Sequence, residues 1–477
     1  MLSGKSLRRL AWAAFATAVV MRLIGIEWGL PNTFNADEPH IIHLAVSFGG
    51  GSLKPYSFKY PTLWPYLLSV CYGAYFLIWS GFGLFRSISD FIGLYAWNPT
   101  GFYLIARLLS TVLSLLTAAV MWRVERRLRP DSWPWAALLM LFAPIIVTTS
   151  QSAKPDCLML FFATCAWALA LKIHANAERR HYWLCGAAFG LAMTSQYTAL
   201  PAALALPLAH FFSSRRRPLS WLAEGLAACA AGFFAGSPYV LLDFPHFWSS
   251  LTDLGQMPPD VERLQMIKIV LVRLWTFGAP GSIAGLAAVV GAVRLWRRER
   301  GLCVLLLGPV LAYAVLLSLT PIGGNARYFL GIHPALALLA AEGLSWIERP
   351  RRPLVILLAA VLALGPGIWQ SFSHSLKLIL LDTRTQAEAW IVGNIPSGAT
   401  ILLDTPYATA NVGMTKEQAL ELAERTRIAG SPRWRLYQGM ANSHPGGGYR
   451  LYRIQRSAKD LGSEPLHTLR TQAETAT

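Results

Sequence analysis

Apolar runs of near-bilayer length, separated by short polar stretches, dominate the first 374 of the 477 residues. A helix crossing a bilayer needs ~20 mostly apolar residues, and it pairs its own backbone groups where no water is available. Runs of this kind lie at about residues 10–27, 101–122, 132–149, 156–174, 219–237, 277–295, 302–320, 328–347 and 353–372. The stretch 182–212 is too long for one span and carries Ser195-Gln196-Tyr197-Thr198 at its middle, which predicts two short spans meeting at a polar turn and brings the count to eleven. The stretch 63–85 differs from the others: it follows Lys59-Tyr60-Pro61 and contains Pro65. It is expected to re-enter or to lie along the outer interface, leaving 28–100 as one long loop with juxtamembrane helices.

After about residue 375 the pattern changes. Thr385 to Val392 and Lys416 to Arg427 have helical periodicity, whereas Ala399 to Leu403 and Tyr449 to Ile454 read as strands. The expected organisation is a transmembrane domain over 1–374 and a small extracytoplasmic α/β domain over 375–477, its tail after Ser457 polar and frayed. No internal repeat or low-complexity tract is visible.

Composition agrees with a polytopic membrane protein: 54% of residues are hydrophobic, 14% are charged and the mean hydropathy is +0.41. The formal charge of +17 does not point to nucleic acid, because the basic residues fall in short clusters between apolar runs. These are Arg123/Arg126/Arg127/Arg129, Arg179/Arg180, Arg215/Arg216/Arg217, Arg294/Arg297/Arg298/Arg300 and Arg349/Arg351/Arg352. Such clusters stay on the cytoplasmic side. Lys5, Arg8 and Arg9 before the first run resemble a signal peptide, but no small-residue cleavage site follows, so an uncleaved first span is expected. The N-terminus is then cytoplasmic and the C-terminus periplasmic. The six cysteines, Cys71, Cys157, Cys165, Cys185, Cys229 and Cys303, all lie in apolar segments and read as thiols of the core.

With this topology the unusual polar residues collect on the outer side: Asp37, Glu38, His40, His43, Lys59, Tyr60, Arg107, Lys154, Asp156, Gln196, Tyr197, Asn325, Arg327 and Tyr328. A transporter would place ionisable groups near mid-membrane in two matched halves. Collection at one face favours a reaction there, on a substrate whose greasy part stays in lipid; a transporter or flippase for a lipid-linked sugar is the alternative. Each motif also has a bland reading. Asp37-Glu38 fits a solvated helix N-terminus, Asp156 after Pro155 fits a cap, and Lys59 and Arg327 fit headgroup anchors. His40 and His43 alone are too few for a metal site.

Taken in order, the segments resemble the GT-C class of membrane glycosyltransferases, specifically the family 39 type that includes bacterial relatives of protein O-mannosyltransferases and the lipid A aminoarabinose transferase. Asp37-Glu38 is similar to that family's first-loop acidic motif. Phe58-Lys59-Tyr60-Pro61-Thr62 resembles its Lys/Pro segment, with Tyr60-Pro61 where a double proline is usual. Arg107-Leu108-Leu109-Ser110 resembles the start of the next span, and Ala153-Lys154-Pro155-Asp156 the segment with a second acid. Gln196-Tyr197 stands where Lys-Tyr or Lys-Gly is common. Arg327-Tyr328-Phe329-Leu330 resembles the late motif, and Asp382-Thr383-Arg384 with Ala389-Trp390-Ile391 the start of the outer domain.

The resemblance implies a GT-C fold and transfer of a sugar, with inversion, from a polyisoprenyl-phosphate carrier to an envelope glycan, lipid or protein hydroxyl at the periplasmic face of the bacterial inner membrane. A hydroxyl acceptor needs a base, and Asp37 is the candidate. The leaving lipid phosphate needs cations, for which Arg327 and Lys59 are the candidates. Glu38 and Asp156 are expected to orient substrate hydroxyls or to share a divalent ion with Asp37. Tyr60, Arg107, Lys154, Gln196, Tyr197 and Tyr328 complete the expected binding set. Mg2+ or Mn2+ suits such carboxylates, but the need for a metal is left open; no organic cofactor is expected.

Overall fold

The structure, a computed structural model, describes residues 4–255, 261–320, 324–348, 353–403, 410–430 and 433–453. The expected polar tail after Ser457, the Arg349/Arg351/Arg352 cluster and Pro321 to Gly323 lie outside the described residues.

The chain is helical almost throughout. Its first half contains α1 (Gly4–Leu23), α2 (Glu38–Ser47), α3 (Leu63–Gly81), α4 (Ile88–Trp97), α5 (Thr100–Leu128), α6 (Trp135–Phe142), α7 (Pro144–Ser150), α8 (Asp156–Asn176), α9 (Arg179–Ser195), α10 (Ala205–Phe211) and α11 (Leu219–Gly236). The second half contains α12 (Tyr239–Leu242), α13 (Phe244–Gly255), α14 (Arg263–Trp275), α15 (Ala284–Arg298), α16 (Arg300–Leu319), α17 (His333–Ile347), α18 (Pro353–Lys377), α19 (Thr383–Asn394), α20 (Lys416–Ile428) and α21 (Trp434–Asn442). Short 3-10 turns precede α10 (Tyr197–Leu204) and α17 (Ala326–Ile332). Among the described residues the strands are β1 (Thr400–Leu403) and β2 (Arg450–Arg453).

Among the described residues, seven helical stretches are long and apolar enough to cross a membrane: α3, α5, α8, α11, α16, Ala326–Ile347 and α18. Trp12–Leu23 and Tyr197–Phe211 are shorter apolar helices. The stretch 63–85, expected to re-enter or lie flat, contains the single 19-residue helix α3. The stretch 182–212 breaks at Gln196, where a polar turn is expected. The expected span 132–149 is instead two helices, because Pro144 has no N–H to give and cannot continue the ladder. The carbonyls this break releases are taken up by side chains: Arg22 Nη2 donates to Leu141 O (3.0 Å) and Ser371 Oγ to Phe142 O (3.2 Å).

Contacts divide the chain into two compact units. The first comprises Met1–Ile26, Leu44–Ser69 and Ala106–Lys377. Its helices meet closely where side chains are absent. A Cβ on Gly186 would sit 1.8 Å from Gly225 O, and one on Gly190 2.2 Å from Cys229 O, so α9 and α11 touch backbone to backbone. The cluster of basic residues on α5 and α15 converges on buried acids. Glu342 accepts Arg129 Nη1 at 3.3 Å and lies 3.5 Å from Arg294 and from Arg298, while Glu125 accepts the first free N–H groups of α6, from Ala136 (3.1 Å) and Ala137 (3.2 Å).

The second unit comprises Glu27–His43, Val70–Ile105 and Leu378–Thr477. Ser87 starts α4 through a capping box: its Oγ accepts Asp90 N (3.2 Å) and Asp90 Oδ2 accepts Ser87 N (3.0 Å). Tyr75, Phe85, Phe91 and Phe102 form an aromatic cluster with centroids 4.8–6.2 Å apart. β1 and β2 pair in parallel, Thr400 opposite Arg450 and Leu403 opposite Arg453, with α20 and α21 in the crossover. On the open edge of β2, Gln418 acts as a backbone surrogate: its Nε2 donates to Leu451 O (2.6 Å) and its Oε1 accepts Leu451 N (2.8 Å). α21 lies on α4, where Trp97 Nε1 donates to Met440 O (3.0 Å).

Candidate functional site

The expected site residues fall in both units. In the first unit, Asp156 opens α8 and is 1% exposed. Its place in the first helical turn puts a carboxylate at the positive end of the helix dipole. Arg327 opens the 3-10 turn before α17, where Asn325 caps the turn by accepting Arg327 N (3.2 Å). The Arg327 guanidinium lies 5.3 Å from the centre of the Tyr328 ring and within electrostatic reach of both Asp156 and Tyr60. An acid, a cation and two phenols from three chain segments are thus brought together.

The segment that carries Lys59 is braced from both sides. Tyr197 OH donates to Phe58 O (3.3 Å), and the buried Phe58 ring meets His246 and Phe247 of α13 edge-on at 5.2 and 5.7 Å. Thr62 donates its N–H to Ser237 Oγ (3.1 Å) and its hydroxyl to Gly236 O (2.9 Å). Trp64 Nε1 donates to Ala153 O (3.3 Å), which ties this segment to the turn of Lys154 and Asp156. Lys59 itself is exposed, Lys154 half-buried. Gln196 is 5% exposed and its Oε1 has no partner among the described residues, whereas Tyr197 is committed to the brace. Arg107 is fully buried and donates from Nη1 to Ile26 O (2.7 Å).

In the second unit, Asn35 Oδ1 accepts Asp37 N (3.1 Å), a turn that half-exposes Asp37, and Glu38 opens α2 at 1% exposure. His43, one turn along, stacks on Tyr95 at 6.3 Å. Burial, then the charges of Arg433 and His40, lower its pKa to about 4, so it is neutral at physiological pH. Among the described residues no three His, Cys, Asp or Glu side chains gather as a metal-holding group.

Reading the sequence alone misses the braces: Tyr197 to Phe58, Thr62 to Ser237 and Trp64 to Ala153. Only Tyr197 carried a signal, its place in a polar break within an apolar run. The α13 helix was also missed, since Asp243, His246 and Asp253 dilute its hydropathy.

Residues 102–240 match the model of the dolichyl-phosphate-mannose-protein mannosyltransferase family. No curated protein matches the chain. Among solved structures, ArnT from Cupriavidus metallidurans in the apo state is similar with a TM-score of 0.52 and 16% identity, over 91% of this chain and 75% of that one. The same enzyme bound to undecaprenyl phosphate gives a TM-score of 0.50 at 16% identity and the same coverage. The oligosaccharyltransferase of Archaeoglobus fulgidus in its apo form gives 0.45 and 13% identity, over 80% of this chain and 58% of that one. At such identities the likeness is one of fold: the chain is a multi-pass membrane protein with the fold of the GT-C membrane glycosyltransferases.

Proposed function

We propose that the protein is a glycosyltransferase that moves a sugar from a polyisoprenyl-phosphate carrier to a hydroxyl of an envelope glycan, lipid or protein at the periplasmic face of the bacterial inner membrane. The observation that carries this reading is the Arg327 guanidinium in electrostatic reach of both the buried carboxylate of Asp156 and the Tyr60 phenol, in a chain with the fold of a protein crystallised with undecaprenyl phosphate. A buried acid with a half-buried cation at the head of a span is costly unless a polar substrate uses them.

In the proposed step the acceptor oxygen attacks the anomeric carbon as the bond from that carbon to the phosphate oxygen breaks. Asp37 takes the hydroxyl proton, and Arg327 and Lys59 offset the charge gathering on the departing lipid phosphate. Asp156 and Glu38 accept hydrogen bonds from sugar or acceptor hydroxyls. Attack opposite the leaving group inverts the anomeric centre.

The test is transfer from synthetic polyprenyl-phosphate sugars by the purified protein in lipid nanodiscs. Asp37→Asn is expected to lower turnover by about 10²- to 10⁴-fold, the usual worth of a general base, with polyprenyl-phosphate binding retained. Transfer intact in Asp37→Asn, with movement of substrate across the membrane lost, would overturn the reading. Mass spectrometry of envelope glycans from a deletion strain would then identify sugar and acceptor, by the mass lost and the fraction that loses it.

A further inference from the structure

Within the second unit, the segment that follows α18 meets the loop that leads to the acidic motif. Asp382 caps α19 by accepting Arg384 N (2.9 Å) and grips the same residue's guanidinium at Nε (2.8 Å) and Nη2 (2.7 Å). This two-point grip fixes the plane of the guanidinium. The remaining Nη1 donates to Phe34 O (3.3 Å), and the guanidinium lies over the Phe34 ring at 4.0 Å and toward Trp28 at 5.9 Å. One turn along α19, Glu388 accepts Asn32 Nδ2, and Asn411 Nδ2 donates to Asn32 O (3.5 Å).

The loop so gripped is folded tightly. Gly29 has φ +70°, Thr33 has φ +53°, and Thr33 N donates to Gly29 O (2.6 Å). A left-handed threonine is unfavourable unless its surroundings hold it. Phe34 is followed at once by Asn35, whose side chain turns the backbone of Asp37. Fixing Phe34 therefore fixes the start of the turn that presents the acid.

We propose that Arg384, oriented by Asp382 and supported by Glu388, is a positioning residue for Asp37: the C-terminal segment clamps loop 29–34 and thereby sets the acidic motif. This rests on the role given to Asp37 above. The clamp explains why an Asp-x-Arg follows directly after the final span, and it makes the C-terminal segment a working part of the acidic loop.

The experiment uses the full chain in nanodiscs, with Arg384→Ala, Arg384→Lys, Glu388→Gln and, as a control, Arg427→Ala, whose guanidinium pairs with Glu424 on an exposed face of α20. Hydrogen exchange of peptides spanning 29–38 is measured beside kcat, KM and polyprenyl-phosphate binding. Arg384→Ala is expected to raise exchange in 29–38 by about tenfold and to lower kcat by up to about 100-fold, the cost of an ångström-scale misplacement. Carrier binding stays within about twofold of wild type, Arg384→Lys falls between wild type and Arg384→Ala because it lacks the fork, and Arg427→Ala is silent. Unchanged exchange in 29–38 overturns the proposal. So does raised exchange with kcat unchanged, or a rise spread over the whole chain with carrier binding lost. A wild type that transfers no sugar defeats the function proposed above, while the exchange arm, which needs no turnover, still decides the clamp.

Discussion

Arg327 and Asp156 show how a single residue can be read against its surroundings. A guanidinium in electrostatic reach of a buried carboxylate is steered by its charge, and under the proposed function its planar fork would meet the carrier phosphate. Arg327→Gln is expected to weaken polyprenyl-phosphate binding by about 10- to 100-fold, since a hydrogen bond to a charged group contributes about 1.5–3 kcal/mol. Arg327→Lys restores the charge without the fork and recovers only part of this loss. Titration calorimetry with a short-chain polyprenyl phosphate measures both; equal affinity in all three proteins removes Arg327 from the carrier site. His43 gives a second prediction at this scale. Its folded pKa of about 4 lies below the unfolded value of about 6.5, so unfolding takes up a proton in between. The neutral ring therefore favours the fold fully above about pH 6.5, and this contribution falls as the pH drops toward 4. A His43→Gln variant is expected to show a flatter dependence of melting temperature on pH across that window, read by thermal melts at fixed ionic strength.

Helix pairs raise a different question, how closely two backbones can approach. Gly186 and Gly190 lie on one face of α9, and any Cβ there would meet the backbone of α11 well inside contact distance. Gly190→Val forces the pair apart and is expected to cost at least the ~1–3 kcal/mol typical of overpacking, read as a lower melting temperature in detergent. Gly393→Ala, at a site where an added methyl group meets nothing within 4 Å, is the control. A Gly190→Val protein that melts with wild type would show that the contact is not that tight. Elements of this kind were partly legible in the chain. The break at Gln196 could be read, because a polar tetrapeptide in a 30-residue apolar stretch can only be a turn between two shorter helices. The ends of β1, β2, α19 and α20 fall within two residues of the expected limits, since period and capping residues are local signals. The break at Pro144 was passed over because hydropathy ignores hydrogen bonding. α14 was passed over because Arg263, Lys268 and Arg273 lower its average, although its apolar positions keep helical spacing. Nothing local tells that Arg384 reaches Phe34, 350 residues away.

The whole chain poses the question of sides. Its two compact units do not follow the linear division at residue 375: the acidic loop, the stretch 70–105 and the C-terminal segment share one of them. For such a unit to act at the periplasmic face, the C-terminal segment must lie outside, which an odd number of spans from a cytoplasmic N-terminus provides. The basic clusters are expected on the opposite, cytoplasmic side, because arginines beside span ends resist export. Two single cysteines test both statements together. Asn394 is exposed at the end of α19, and Ser214 is exposed beside Arg215 to Arg217. Asn394→Cys is expected to react with a membrane-impermeant maleimide in intact spheroplasts, and Ser214→Cys only after the membrane is opened. The protein without either substitution gives the background from its six native thiols, which lie buried or half-buried in helices. If Asn394→Cys were protected while Ser214→Cys reacted, the orientation would be inverted and the proposed reaction would face the cytoplasm. If both reacted from outside, the number of crossings between Ser214 and Asn394 would be even, not odd as the expected spans require.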